Sequence, residues 1–435
     1  MSPEVIGLIG LAVLFALLAI GMPIGFAMAL VGFVGYGIVA GFEGALTNLA
    51  TVPYRSVASY VFSVLPLFML MGEFASTSGF IESAYSFLHK LLGRLRGGLA
   101  ISTIGACSIF AAVCGSSLAS AATMCRIAYP EMNRHNYNPK LSLGSIAAGG
   151  TIGILIPPSI PMIVYALFAE ESVGRLFIAG FIPGIILASL MILTIYFRVR
   201  LTPSLAPQGP VATWRERMSA SIGVFPLLLL ALFVLGGIWG GIFSPTEAGG
   251  LGAFGAFVIG LIKRQLNLRN TFTALTNTMG TTAMVCLILI GAMIFNYFIV
   301  VSGLAAALAR SVEIFQLPPI GVLITILFIW LILGCLMDTL AMQLLTLPIF
   351  LPIIRALGFD FVWFGILFVI MSEMALITPP IGMNVFVISG MVKDVPMYTI
   401  FRGILPFLLA MVLCLTLLII FPEIALFLPN IMIGS

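Results

Sequence analysis

Charge is scarce in this sequence: Lys, Arg, Asp and Glu make up 8% of its 435 residues, against about 25% in soluble domains. So few charges cannot clothe a folded surface in water, so most of the outer surface must face lipid. Only two histidines occur, His89 and His135, and they give no metal-binding spacing. The cysteines (Cys107, Cys114, Cys125, Cys286, Cys335, Cys414) fall in apolar stretches without CxxC spacing, which argues against a disulfide framework or a thiolate metal site. Neither a Walker loop nor a nucleophile elbow is found, so no enzyme chemistry is implied, and nothing implies nucleic-acid binding. Alternating strand patterns are missing, so the apolar runs are helices. Val5–Ile20 has no basic flank, Glu4 being the only charge before it, and it reads as a retained helix rather than a signal peptide.

What is present is hydrophobic sequence, 61% of the chain, in recurring runs of roughly the 20 residues that span a bilayer. The chain also resembles itself at a lag of 222 residues. Gly115-Ser-Ser-Leu-Ala-Ser120 falls on Met337-Asp-Thr-Leu-Ala-Met342, and Ile154-Leu-Ile-Pro-Pro-Ser159 falls on Leu376-Ile-Thr-Pro-Pro-Ile381. At lag 224, Met69, Phe74, Ser78 and Gly79 match Met293, Phe298, Ser302 and Gly303. Each half then reads alike. Half one predicts helices near 5–21, 23–40 and 59–88, short helices near 99–113 and 118–132, a broken helix near 141–168 and a helix near 176–199. Half two predicts helices near 221–243, 246–262 and 279–310, short helices near 320–334 and 339–354, a broken helix near 362–391 and a final helix from about 398. Leu201–Arg217 reads as a polar linker between the halves.

A helix of about 15 residues rises only about 22 Å, short of the ~30 Å hydrocarbon core. Each short pair therefore reads as a re-entrant hairpin. Half one then crosses five times, and an odd number inverts half two. Under this topology 15 of the 19 Lys and Arg residues fall on the cytoplasmic side, as the positive-inside rule requires, and both termini are expected outside. The fold class is thus an all-α polytopic membrane protein of two inverted repeats. Residues 1–95 supply scaffold helices, 96–175 the first hairpin and broken helix, 176–315 connecting and scaffold helices, 316–395 the second hairpin and broken helix, and 396–435 the final helix.

Consecutive prolines remove two backbone donors and cannot continue a helix. The carbonyls they strand need polar partners inside a membrane. Beside Ser116 and Ser117 at the first tip, those carbonyls make an oxygen-only cage suited to a hard cation such as Na⁺. The second half adds a carboxylate, Asp338 next to Thr339, and a bound cation would offset its cost at bilayer depth. Helix N-termini restarting after the prolines attract carboxylates, which makes Ser117, Ser159, Tyr165, Thr339, Thr378 and Asn384 candidate substrate contacts. Glu373 precedes the second break and is a candidate for proton or ion coupling. Glu73 lies in the third helix and is expected away from both sites.

The Gly115–Ser117 tip, the Ile156–Ser159 and Thr378–Gly382 breaks and the Tyr129–Met132 loop with Pro139 together resemble the large membrane subunit of TRAP (tripartite ATP-independent periplasmic) transporters, over nearly the whole chain. The resemblance implies an elevator-type fold in the bacterial inner membrane, taking up an organic anion such as a C4-dicarboxylate, sialic acid or another sugar acid, driven by Na⁺. It implies a periplasmic binding protein that delivers substrate and a separate small four-helix membrane subunit. Carried over by motif, Ser116, Gly153, Leu155 and Pro158 resemble one Na⁺ site, and Asp338, Thr339, Ile377 and Pro380 another. Ala375 stands where the first half has Gly153. The rival readings are a single-component ion-coupled carboxylate carrier of related fold, a channel and a membrane-embedded enzyme. A channel would need a continuous polar stripe, and an enzyme a nucleophile–base pair or metal set.

Overall fold

The computed structural model describes residues 1–209 and 212–432. The expected linker falls partly on 210–211, and the last segment partly on 433–435, which lie outside the described residues. Those described form twenty α-helices and no β-strand. The first half comprises α1 (Pro3–Ala19), α2 (Ile24–Ala40), α3 (Phe42–Val57), α4 (Val64–Thr77), α5 (Phe80–Leu92), α6 (Gly98–Cys114), α7 (Ser117–Arg134), α8 (Pro139–Leu155), α9 (Ile160–Ala169) and α10 (Val173–Leu201). The second comprises α11 (Trp214–Trp239), α12 (Pro245–Ile262), α13 (Leu268–Ser302), α14 (Leu304–Ile314), α15 (Pro319–Leu336), α16 (Thr339–Ala356), α17 (Phe361–Ala375), α18 (Met383–Met391), α19 (Met397–Ile420) and α20 (Glu423–Met432). A hairpin, a broken helix and a long helix occur in the same order in each half: α6–α10, then α15–α19.

Local chemistry sets the breaks. Gly79 and Gly303, related by the 224-residue lag, both hold left-handed backbone, with φ 67° and 68°. That conformation ends a helix and suits glycine. The segments 59–88 and 279–310 are therefore two helices each rather than one. Pro66 sits in the first turn of α4, where its missing N–H and its ring stop the helix from continuing upstream. The matching stretch of α13 has no proline and runs 35 residues unbroken. α3 and α20 are additional to the expected set. Glu43, Thr47, Asn48, Thr51 and Arg55 break the apolar run of α3, and Pro422 separates α20 from α19.

The hairpin helices have 17 or 18 residues, slightly longer than the sequence suggests, and rise about 25–27 Å. Of these four helices, α15 and α16 pass as spans by length and composition. Burial separates the two readings. A pair of full spans would leave its turn at a membrane face, whereas Gly115 and Ser117 are buried and a Cβ on Gly115 would lie 2.7 Å from the Pro158 carbonyl. Cys335, near the other tip, donates to the Pro379 carbonyl at 3.4 Å. The first tip thus ends inside the protein, and each tip packs against the break of its own repeat.

The broken helices form the centre. Every residue from Leu141 to Leu155 and from Val362 to Ala375 is buried. In α8 the small residues Gly144, Ala147, Ala148, Gly149, Gly150 and Gly153 let α6, α7 and α19 approach closely. Around this centre α2 packs along α13, and its repeat-mate α12 packs along α4. Exposed Leu8, Phe26, Phe225, Leu232, Phe254 and Leu409 form the outer surface.

The α8–α19 crossing has no room for a side chain. A Cβ on Gly144 would lie 2.6 Å from the Gly403 carbonyl, and one on Gly403 would collide with the Lys140 carbonyl. Gly403→Val should therefore destabilise the fold by about 1–3 kcal/mol through overpacking. Thermal unfolding in detergent measures this; an unchanged midpoint would contradict the crossing.

Candidate functional site

Four helix N-termini meet at one cavity. Ser117, Ile160, Thr339 and Met383, the first residues of α7, α9, α16 and α18, all line a space of ≈ 380 Å³. Ser116, Asp338, Ile154 and Leu376 complete it from the two tips and breaks, and Met69, Thr281 and Met284 close it from α4 and α13. Among the described residues no lysine, arginine or histidine lines it. The inward charge complement is instead the positive ends of four helix dipoles.

At the first tip, Ser116 caps α7, its hydroxyl accepting from the Ala119 N–H at 3.3 Å. A Cβ on Gly153 would lie 3.1 Å from both the Ser116 carbonyl and the Ser120 hydroxyl, so glycine lets the tip seat on α8. Pro157 and Pro158 carry no N–H, and among the described residues no other donor reaches the Gly153 or Ile154 carbonyl. Two stranded acceptors therefore lie beside Ser116. The Ser120 hydroxyl is also buried without a partner. The structure brings Ser116, Gly153 and Pro158 together; the Leu155 carbonyl instead abuts α10, where a Cβ on Gly180 would lie 2.6 Å from it.

The second tip differs. Asp338 caps α16, its carboxylate accepting from Leu340 N–H at 2.9 Å and Ala341 N–H at 3.1 Å. The Thr339 hydroxyl is buried and unpartnered. Here the break satisfies itself: the Leu376 carbonyl accepts from Asn384 N–H and the Ala375 carbonyl from Thr378 N–H, both at 3.1 Å. Ile377 is buried, but Pro379 and Pro380 are exposed, whereas Pro157 and Pro158 are buried. The lag-related clusters are thus unequal, one rich in stranded carbonyls and the other holding a carboxylate. Both offer oxygen ligands, the chemistry of a hard cation rather than of Zn²⁺.

Among the expected substrate contacts, Ser117 and Thr339 line the cavity. Ser159 is the buried cap of α9, accepting from Met162 N–H at 3.4 Å. Thr378 turns back to donate to the Met374 carbonyl at 2.6 Å. Tyr165 is buried on the far face of α9, donating to the Phe361 carbonyl at 2.7 Å and stacking on Phe368. Asn384 lies behind the cavity, donating to Ser117 Oγ at 2.9 Å. Glu73 is not remote: it lines a ≈ 130 Å³ cavity with Cys114, Ser116 and Ala119 and accepts from Asn277 at 3.3 Å. Its neighbour Gly72 lies against the Cys114 carbonyl.

Ser120 and Gln343 are additional to the sequence-based set. Gln343 donates to the Pro161 carbonyl at 2.8 Å, tying α16 of one repeat to α9 of the other. Helical spacing carries a signal for both, since each lies four residues after a tip residue, Ser116 or Thr339, on the same face.

Paired inverted repeats whose tips and broken helices share one central cavity define an inverted-repeat membrane permease. The family described as the tripartite ATP-independent periplasmic transporter, DctM component, matches residues 11–424, and the chain belongs to this family of TRAP transporter large permeases. It is similar to the C4-dicarboxylate TRAP transporter large permease protein DctM of Pseudomonas aeruginosa, 36% identical over 90% of this chain and 93% of that one. It is likewise similar to the sialic acid TRAP transporter large permease protein SiaM of Vibrio cholerae, 31% identical over 96% and 97% of the two chains. The ectoine permease TeaC of Halomonas elongata is 31% identical over 96% and 98%. The Alcanivorax borkumensis YdaH transporter, a solved structure, shares the fold at TM-score 0.63 and 17% identity, covering 88% of this chain and 90% of that one.

The placement of Tyr165 is testable. Tyr165→Phe should cost roughly 0.5–1.5 kcal/mol of stability, the net worth of one hydrogen bond, and leave substrate affinity unchanged. A tenfold affinity loss at unaltered stability would return Tyr165 to the cavity.

Proposed function

We propose that this chain is the permease of a Na⁺-coupled, binding-protein-dependent uptake system for an organic anion, moving its cargo by an elevator displacement of the hairpins and broken helices against the scaffold. The observation that carries this reading is the convergence of four helix N-termini on a cavity without basic side chains, flanked by two oxygen-only clusters. The N-termini suit a carboxylate; the stranded carbonyls and Asp338 suit cations. The cavity volume falls at the small end of ligand pockets, about 300–1,000 Å³. Relatives named for C4-dicarboxylate, sialic acid, isethionate and ectoine indicate a small polar organic solute.

Cross-repeat bonds support a unit that moves as one body: Asn384 to Ser117 and Gln343 to Pro161 join α18 to α7 and α16 to α9. On this reading Na⁺ is cargo, at least one ion in each cluster. Two Na⁺ with a monoanion move one net charge inward, gaining about 2.3 kcal/mol per 100 mV. A separate four-helix subunit would buttress the scaffold, a periplasmic binding protein would deliver the solute, and both termini would lie outside the inner membrane.

Reconstituted with its binding protein, the chain should lose uptake in Na⁺-free buffer at fixed voltage; undiminished uptake would refute Na⁺ coupling. A finer test separates the two roles of Asp338. Asn caps helices about as well as Asp, so Asp338→Asn keeps the cap and removes the charge. Uptake should fall at least tenfold, on the order of 1.4 kcal/mol or more, with normal insertion. Wild-type uptake would make Asp338 a cap alone.

A further inference from the structure

The four helix N-termini at the central cavity are not equivalent. The first N–H groups of a helix have no partner within it. In α7 the Ala119 N–H is taken by Ser116 Oγ at 3.3 Å. That leaves the adjacent N–H groups of Ser117 and Leu118, both lining the cavity and both without a partner among the described residues. In α16 the Leu340 and Ala341 N–H groups are both held by the Asp338 carboxylate, so Thr339 keeps the free donor. α9 offers Ile160 alone, because Pro161 carries no N–H. α18 offers Met383, because the Asn384 N–H is bonded to the Leu376 carbonyl.

Two neighbouring N–H groups beside a neutral cap match the two oxygens of one carboxylate. A second carboxylate has no such seat, since the matching tip has given its donors to Asp338. Side chains add little. Thr339 lines the cavity at 6% exposure, and its hydroxyl is buried without a partner among the described residues. Ser117 Oγ is engaged by Asn384 behind the cavity, and Thr281 donates to the Asn277 carbonyl at 3.0 Å. Most of the remaining wall is apolar, with Met69, Met284 and Met383 on three different helices. Methionine moulds itself to irregular apolar shapes, whereas a solute hydroxyl buried there without a partner is penalised.

We propose that the solute is a monocarboxylate with an apolar body and one neutral oxygen, and not a dicarboxylate or a polyhydroxylated sugar acid. Its carboxylate sits on the Ser117 and Leu118 N–H groups, its keto or hydroxyl oxygen meets the Thr339 hydroxyl, and its body lies among the methionines. This rests on the anion-uptake reading above and names its solute class. Charge supports the choice. With one Na⁺ in each cluster, Asp338 and a monoanion balance the two ions, so the loaded unit carries no net charge through the hydrocarbon. A dianion would leave one negative charge over, which is costly at that depth.

Calorimetric titration of the chain with its membrane subunit, in detergent and saturating Na⁺, tests this. Phenylpyruvate should bind roughly tenfold or more tightly than succinate or gluconate. Thr339→Val removes the hydroxyl at similar shape. It should weaken phenylpyruvate by roughly tenfold, the worth of one hydrogen bond, and leave hydrocinnamate, which lacks the keto oxygen, unchanged. Succinate or gluconate binding as tightly as phenylpyruvate to the unaltered chain would overturn the class, whether or not the variant folds. An equal loss for both monocarboxylates would overturn the Thr339 contact. If none of the four binds, the class is overturned, while Na⁺-dependent uptake, measured as above, decides the broader reading separately.

Discussion

Everything in this molecule follows from a backbone that cannot stay helical inside a membrane. Each Pro-Pro pair deletes two amide donors, and the carbonyls four residues earlier lose the partners they would have had. Lipid offers no replacement. The stranded carbonyls must therefore find partners within the protein, and the re-entrant hairpin of the same repeat packs against each break, with Gly115 against Pro158 and Cys335 against Pro379. Seating the tips on the breaks brings together the N-termini of α7 and α16. The cavity is the space left where these elements meet.

The two repeats solve the same problem differently. At the first break the Gly153 and Ile154 carbonyls stay open and the prolines are buried. At the second, Asn384 and Thr378 N–H groups occupy the carbonyls, and the prolines face outward. The second cluster compensates with the Asp338 carboxylate, itself held by two backbone amides. Pseudo-symmetry of fold thus does not carry over to symmetry of chemistry, and the first cluster should be the more dependent on backbone geometry. Glycine marks it: Gly153 must leave room for Ser116 and Ser120, whereas Ala375 in the second repeat packs its methyl towards Gly334.

Much of this was legible beforehand because it is local or periodic. Apolar runs announce helices, the proline pairs announce breaks, and the 222-residue lag pairs Ser116 with Asp338 without any structural input. The Gly79 and Gly303 breaks carried a signal too, being matched in the lag, but a hydrophobic run hides a single left-handed residue. α3 escaped because its polar residues dilute hydropathy. What could not be read is contact between repeats. Asn384 reaches Ser117 across 267 positions and Gln343 reaches Pro161 across 182. Glu73 belongs beside Ser116 only because Gly72 lets α4 sit on the Cys114 carbonyl. Tyr165 pointed the wrong way because its direction depends on α17, which no spacing within α9 reveals.

The central claim is that anion-binding N-termini and cation-binding oxygen clusters share one cavity, so that solute and Na⁺ move together. Solid-supported-membrane electrophysiology on proteoliposomes bearing the chain with its cognate binding protein and membrane subunit tests it most directly. A solute pulse delivered with Na⁺ should drive inward positive current, and the same pulse with K⁺ in place of Na⁺ should give none. Equal currents in the two solutions would contradict the account.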